Sequence, residues 1–115
     1  MLKLSQDQRV EYVENCQGGE GTVIIKHVIE PGDHHNPHLQ MVARITLSPS
    51  ATVGEHSHEG LTEVIYILEG RALYNDGAER ILEPGDAAVV SGLDRQSLRC
   101  AADKPMTYLA VITLP

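Results

Sequence analysis

Apolar and polar positions in this chain alternate over short stretches, and apolar residues rarely recur at helical spacing. Runs rich in Val, Ile, Leu and Thr are separated by clusters of Gly, Pro, Asn and Asp, the pattern of an all-β sandwich or barrel. The pattern predicts strands at about 9–14, 22–29, 40–47, 51–58, 62–68, 71–75, 79–82, 87–91, 96–101 and 106–113. A first helical turn over 5–8, spaced like a capping box, is the exception. Asp76-Gly77 between two such runs predicts a two-residue hairpin turn, because Asp-Gly favours the positive φ angles it needs. Pro31-Gly32-Asp33 and Pro84-Gly85-Asp86 predict tight turns in which Pro presets φ and Gly takes the left-handed position. Gly18-Gly19-Glu20-Gly21 reads as a loop and not a phosphate cradle, since no helical pattern follows it.

The run Glu63-Val64-Ile65-Tyr66-Ile67-Leu68 is apolar on both faces after its first residue, and strand side chains alternate between faces. Its inner face suits a barrel lining, so the outer face (Val64, Tyr66, Leu68) calls for a second layer or a partner subunit. The apolar run at Thr22–Ile29 is the natural candidate to cover it, in cis or across a dimer.

A length of 115 residues sets the expectation of one domain, with N-terminal strands and a loop over 1–39 and a barrel over 40–115. At 42% hydrophobic and 22% charged the composition is that of a globular chain. The formal net charge of −7 disfavours nucleic acid and anionic membrane as partners and leaves a small molecule or another protein. Cys16 and Cys100 lack any C-x-x-C spacing and read as free thiols of a reducing compartment. The first residues lack the features of a signal peptide, which sets a cytoplasmic expectation. With no Trp, no Phe and four Tyr, a stacking platform for bases or sugars is hard to build, so a pocket should be aliphatic.

The stretch Gly54-Glu55-His56-Ser57-His58-Glu59-Gly60-Leu61-Thr62-Glu63 carries the candidate chemistry. His56 and His58 are two apart on one strand, so both imidazoles project from one face, and the chain reversal before Glu63 returns its carboxylate over them. Two imidazoles and a carboxylate form a mixed N/O set for one divalent cation such as Mn, Fe, Co, Ni, Cu or Zn. Solvated loop histidines are the alternative, which the apolar strand directly after them makes a poor fit.

His56-x-His58-x4-Glu63-x6-Gly70 resembles the first motif of the cupin superfamily, and Leu82-Glu83-Pro84-Gly85-Asp86 with the strand after it resembles the second. The resemblance, closest to oxalate decarboxylase-like members, implies a double-stranded β-helix (jelly-roll) barrel. It further implies a metal inside the mouth and, commonly, a homodimer exchanging N-terminal strands. Two departures stand out. Ser50 occupies the place of the motif's opening glycine, and no histidine follows His58 to supply the third imidazole. Alignment puts Gln96 at that ligand position, with Arg95 there if the register slips by one; water in an open position and a lost site are the alternatives. His34, His35 and His38 flank Asn36-Pro37 and read as an exposed rim loop, with His38 as a replacement ligand the other option. His27 reads as structural, and parity alone does not say whether Arg44 points in or out.

Two functions fit. One is metal-assisted chemistry on a small oxygen-bearing molecule (a carboxylate, keto acid or sugar derivative), by decarboxylation, dioxygenation, isomerisation or lyase action. The other is a non-catalytic metal- or metabolite-binding protein. The first needs a further acid or base, for which Glu55, Glu59 and Tyr74 are the candidates.

Overall fold

Strands form where the alternation places them, each boundary lying within one residue of its expected position. The structure, a computed structural model, describes residues 1–57 and 59–115; His58, the expected end of the fourth strand, lies outside the described residues. Among the described residues the strands are β1 (Arg9–Glu14), β2 (Thr22–Ile29), β3 (Leu39–Leu47), β4 (Thr52–Ser57), β5 (Thr62–Glu69), β6 (Ala72–Asn75), β7 (Glu79–Leu82), β8 (Ala87–Ser91), β9 (Arg95–Cys100) and β10 (Met106–Thr113). They make two antiparallel sheets, one in the order β1-β2-β3-β10-β5-β8 and one in the order β4-β9-β6-β7. This is the all-β jelly-roll barrel expected of the chain.

The inner faces supply the core. Val23, Leu47, Ile67 and Met106 are fully buried, and Ala43, Ile65, Ala72, Leu98 and Ala110 pack with them. Burial of each Val, Leu or Ile side chain contributes about 1.5–3 kcal/mol. The Pro84-Gly85-Asp86 turn is tied to the middle of β5. Gly85 N–H donates to the Ile67 carbonyl (2.9 Å), Ile67 N–H donates to the Asp86 carbonyl (3.0 Å), and the Asp86 side chain accepts from Glu83 N–H (2.7 Å).

Four expectations change. Within the chain, strand β2 does not cover the outer face of β5: it lies between β1 and β3 in the same sheet, burying Val23 and His27 in its own barrel and leaving Val64 and Tyr66 exposed. The hairpin after β6 has a three-residue loop, since Asn75 pairs with Glu79 and Gly77 alone in the loop takes a positive φ. The Asn75 side chain accepts from Gly77 N–H (2.9 Å), which widens the turn by one residue. Gly32 needs no left-handed backbone, because Pro31–Asp33 is a short 3-10 turn closed by Glu30 and Asp33. The turn at Ser5–Asp7 has no side-chain cap, and the Ser5 hydroxyl instead accepts from Lys26 Nζ. Arg44 points outward beside Glu69. No helix among the described residues is long and apolar enough to cross a membrane.

Candidate functional site

The site begins with an irregularity in β4. Val53 pairs with Leu98 of β9 and His56 pairs with Gln96, so β4 holds one residue more than β9 between the two pairs. Val53 is buried, and strict alternation from it would turn His56 to the outside. The extra residue is a β-bulge at Gly54-Glu55 that re-aims the strand, and His56 thereby lines the cavity. Gly54 is required here, since a Cβ would run into the Gln17 carbonyl. His56 Nδ1–H donates to the Gly54 carbonyl (2.7 Å), which leaves the neutral ring's lone pair on Nε2. Such a bond fixes tautomer and ring orientation in metal-ligating histidines.

Glu63 enters from the other sheet at the start of β5, paired with Ile112 of β10 and Val90 of β8. Its residue is 6% exposed, and Gln96, 3% exposed, donates to it from Nε2 at 2.6 Å. The Tyr74 hydroxyl in turn donates to Gln96 Oε1 at 3.0 Å. Gln96 thus bridges β9 to β5 and faces inward, while Arg95 points out and pairs with Glu55 (2.8 Å).

These residues meet in a cavity of about 110 Å³ whose wall is largely aliphatic, with Val23, Ile25, Ile45 and Ile65 facing Val53 and Leu98. Sequence reasoning missed two of its polar residues, Cys16 and Tyr108. Cys16 sits in a 3-10 turn (Cys16–Gly18) flanked by left-handed Asn15 and Gln17, a conformation no local sequence signal announces. Tyr108 was visible as an inward position of β10, in step with Met106, Ala110 and Ile112. Burial pushes the Cys16 thiol up, helped by Glu11 and Glu63. Burial also raises Tyr108 well above the ordinary phenol value, with Glu63 and Cys16 adding to it.

The donor set suits a first-row divalent cation at His56 and Glu63, an oriented imidazole and a buried carboxylate. Gln96 as it stands turns its nitrogen, not its oxygen, to Glu63. To offer oxygen its amide must rotate by half a turn, which Tyr74 permits because a hydroxyl accepts as well as donates. Among the described residues no three His, Cys, Asp or Glu side chains are gathered as a metal set. His58, the expected third member, lies outside them.

The remaining candidates lie elsewhere. His38 is exposed and bonds through Nδ1 to the Pro115 backbone oxygen (2.9 Å), away from the cavity wall. His35 is exposed, and His34 Nδ1 accepts from Asn36 N–H (3.1 Å). His27 Nε2 lies 2.6 Å from Glu11 Oε1 and ties β2 to β1. Glu59 stands in an exposed turn, and Tyr74 is buried outside the cavity wall.

The model of the cupin domain family matches residues 43–112. The chain is 30% identical to the oxalate-binding protein of Thermotoga maritima over 115 residues, 99% of this chain and 94% of that one. Among solved structures it is similar to a predicted oxalate decarboxylase from Thermotoga maritima, at TM-score 0.91 and 30% identity over the whole of both chains. It is also similar to KdgF from a Halomonas species, at TM-score 0.77 and 19% identity over 97% of this chain and 91% of that one. The polyketide cyclase RemF from Streptomyces resistomycificus matches at TM-score 0.80 and 19% identity, over 98% and 80%. The last two likenesses concern the fold alone.

Proposed function

Because the chain belongs to the cupin domain family, we propose that it binds one divalent metal ion through His56, His58, Glu63 and Gln96, and with it a small carboxylate of the oxalate class in the barrel cavity. One observation carries this reading. Among the described residues lining the cavity there is a carboxylate, Glu63, and no lysine or arginine. An anion entering a largely aliphatic space meets repulsion and desolvation with no cationic side chain to offset them. When bound, a divalent metal supplies the positive charge and the open coordination positions that carboxylate oxygens require. The chain's own residues prepare the place: Gly54 orients His56, Gln96 holds Glu63, Tyr74 holds Gln96, and the aliphatic wall excludes water. A volume of about 110 Å³ is far below the roughly 300–1,000 Å³ of pockets for drug-sized ligands, which favours the smallest carboxylates over sugar derivatives.

Binding without turnover is the favoured form of this function. Glu55 is engaged by Arg95 outside the barrel, Glu59 is exposed and Tyr74 is committed to Gln96, so none of the three candidate acids or bases reaches the cavity. Cys16 and Tyr108 do reach it, but both are held neutral. Decarboxylation is the second reading, favoured by the likeness to the predicted oxalate decarboxylase; release of carbon dioxide and formate from oxalate would establish it. Elemental analysis tests the metal site. The wild-type protein should carry one divalent metal per chain and the His56→Ala/His58→Ala variant none; full occupancy in that variant would sink the proposal.

The homodimer belongs to the same proposal. Tyr12, Val64, Tyr66 and Val89 are exposed on the outer face of the larger sheet. Register sets Val64 between Val111 and Val89, and Tyr66 between Leu109 and Ala87, in one apolar surface. Such a surface is the usual mark of an interface, and a second copy offers the same face in return.

A further inference from the structure

Three polar side chains in the cavity wall belong to residues more than nine-tenths buried: Glu63, Gln96 and Tyr108. The first two are hydrogen-bonded to each other. Tyr108, 3% exposed, has no hydrogen-bond partner among the described residues, and its oxygen is not sealed away as His34 Nε2 is. The residue is buried but its hydroxyl opens onto the cavity, where no described side chain takes its hydrogen bond and a ligand oxygen can. Its position is specific. Ile112 of β10 is the register partner of Glu63, and Tyr108 lies four residues before Ile112 on the same strand, paired with Ile67 and Ile45.

We propose that the Tyr108 hydroxyl donates a hydrogen bond to the end of the ligand that lies away from His56 and Glu63. The cavity then takes two-ended oxygen ligands, dicarboxylates and α-keto acids, in preference to monocarboxylates. The inference rests on the reading of the cavity as a small-carboxylate site and adds what selects among such ligands. The raised pKa of Tyr108 keeps its proton in place across the neutral range, so the group is a donor throughout. A hydrogen bond between this neutral donor and a carboxylate oxygen is charge-assisted and is among the stronger ones a protein makes.

The test compares Tyr108→Phe with the wild type by calorimetric titration, first of manganese into each metal-free protein and then of oxalate and formate into each loaded protein. The variant should bind manganese as the wild type does and melt at the same temperature or higher. It should lose about tenfold in oxalate affinity, about 1.4 kcal/mol, and little for formate, so its preference for oxalate falls by about the same factor. Unchanged oxalate affinity would overturn the inference and leave the carboxylate reading standing. Weakened manganese binding or a lower melting temperature would also overturn it, by assigning Tyr108 to the metal site or to the fold. A loaded wild-type protein that takes up no oxalate would instead bring down the carboxylate reading, and this inference with it.

Discussion

Gly70 and Ser50 both take a positive φ at two turns, and only one of them is a glycine. Gly70 has φ +77°, and a Cβ on it would stand 2.7 Å from Met106 Cα and from the Pro105 carbonyl oxygen, both backbone atoms that cannot swing aside. Gly70→Ala should therefore destabilise the fold by about 2–4 kcal/mol, combining left-handed strain with a forced backbone shift. Ser50, at φ +68°, occupies the motif position where the resemblance expects glycine. Left-handed backbone costs a non-glycine residue about 1–2 kcal/mol, and glycine's greater unfolded-state freedom returns about 0.5–1 of that. Ser50→Gly should thus stabilise the protein by up to about 1 kcal/mol, raising the melting temperature by a few degrees; a lower melting temperature would refute the strain at Ser50. The sequence pointed to both positions through the motif. It did not reveal the orientation of the Gln96 amide, which depends on Tyr74 and Glu63 from two other strands.

Strand placement was legible because each strand has one inward and one outward face, and inward Val, Ile and Leu recur with period two. What escaped the pattern are the places where that period breaks. The bulge at Gly54-Glu55 reverses the parity between Val53 and His56, and it sits where the backbone of Gln17, left-handed at φ +51°, comes too close to Gly54 for any Cβ. His56 was identified by its spacing to His58 and Glu63, but it faces inward through a bulge packed against Gln17, 39 residues earlier in the chain. The loop after β6 grew by one residue through a side chain of Asn75 that alternation does not weigh. The place of β2 between β1 and β3 followed from strand pairing, a long-range choice that a run apolar on both faces leaves open.

At the scale of the molecule, the larger sheet encloses the cavity on one side and presents an apolar face on the other. Light scattering at micromolar concentration should give twice the chain mass for the wild type, and Tyr66→Glu with Val89→Glu should give one chain mass without loss of metal, since both side chains point away from the cavity; a monomeric wild type would remove the dimer. The inner side bears on function through charge. A cavity with Glu63 and no described lysine or arginine should hold a small anion only together with a cation. The most direct measurement is a calorimetric titration of oxalate into one preparation in three forms: loaded with manganese, stripped with chelator, and reloaded. Binding is predicted in the loaded and reloaded forms and absent in the stripped form, whereas equal affinity in the stripped protein would contradict a metal-held carboxylate.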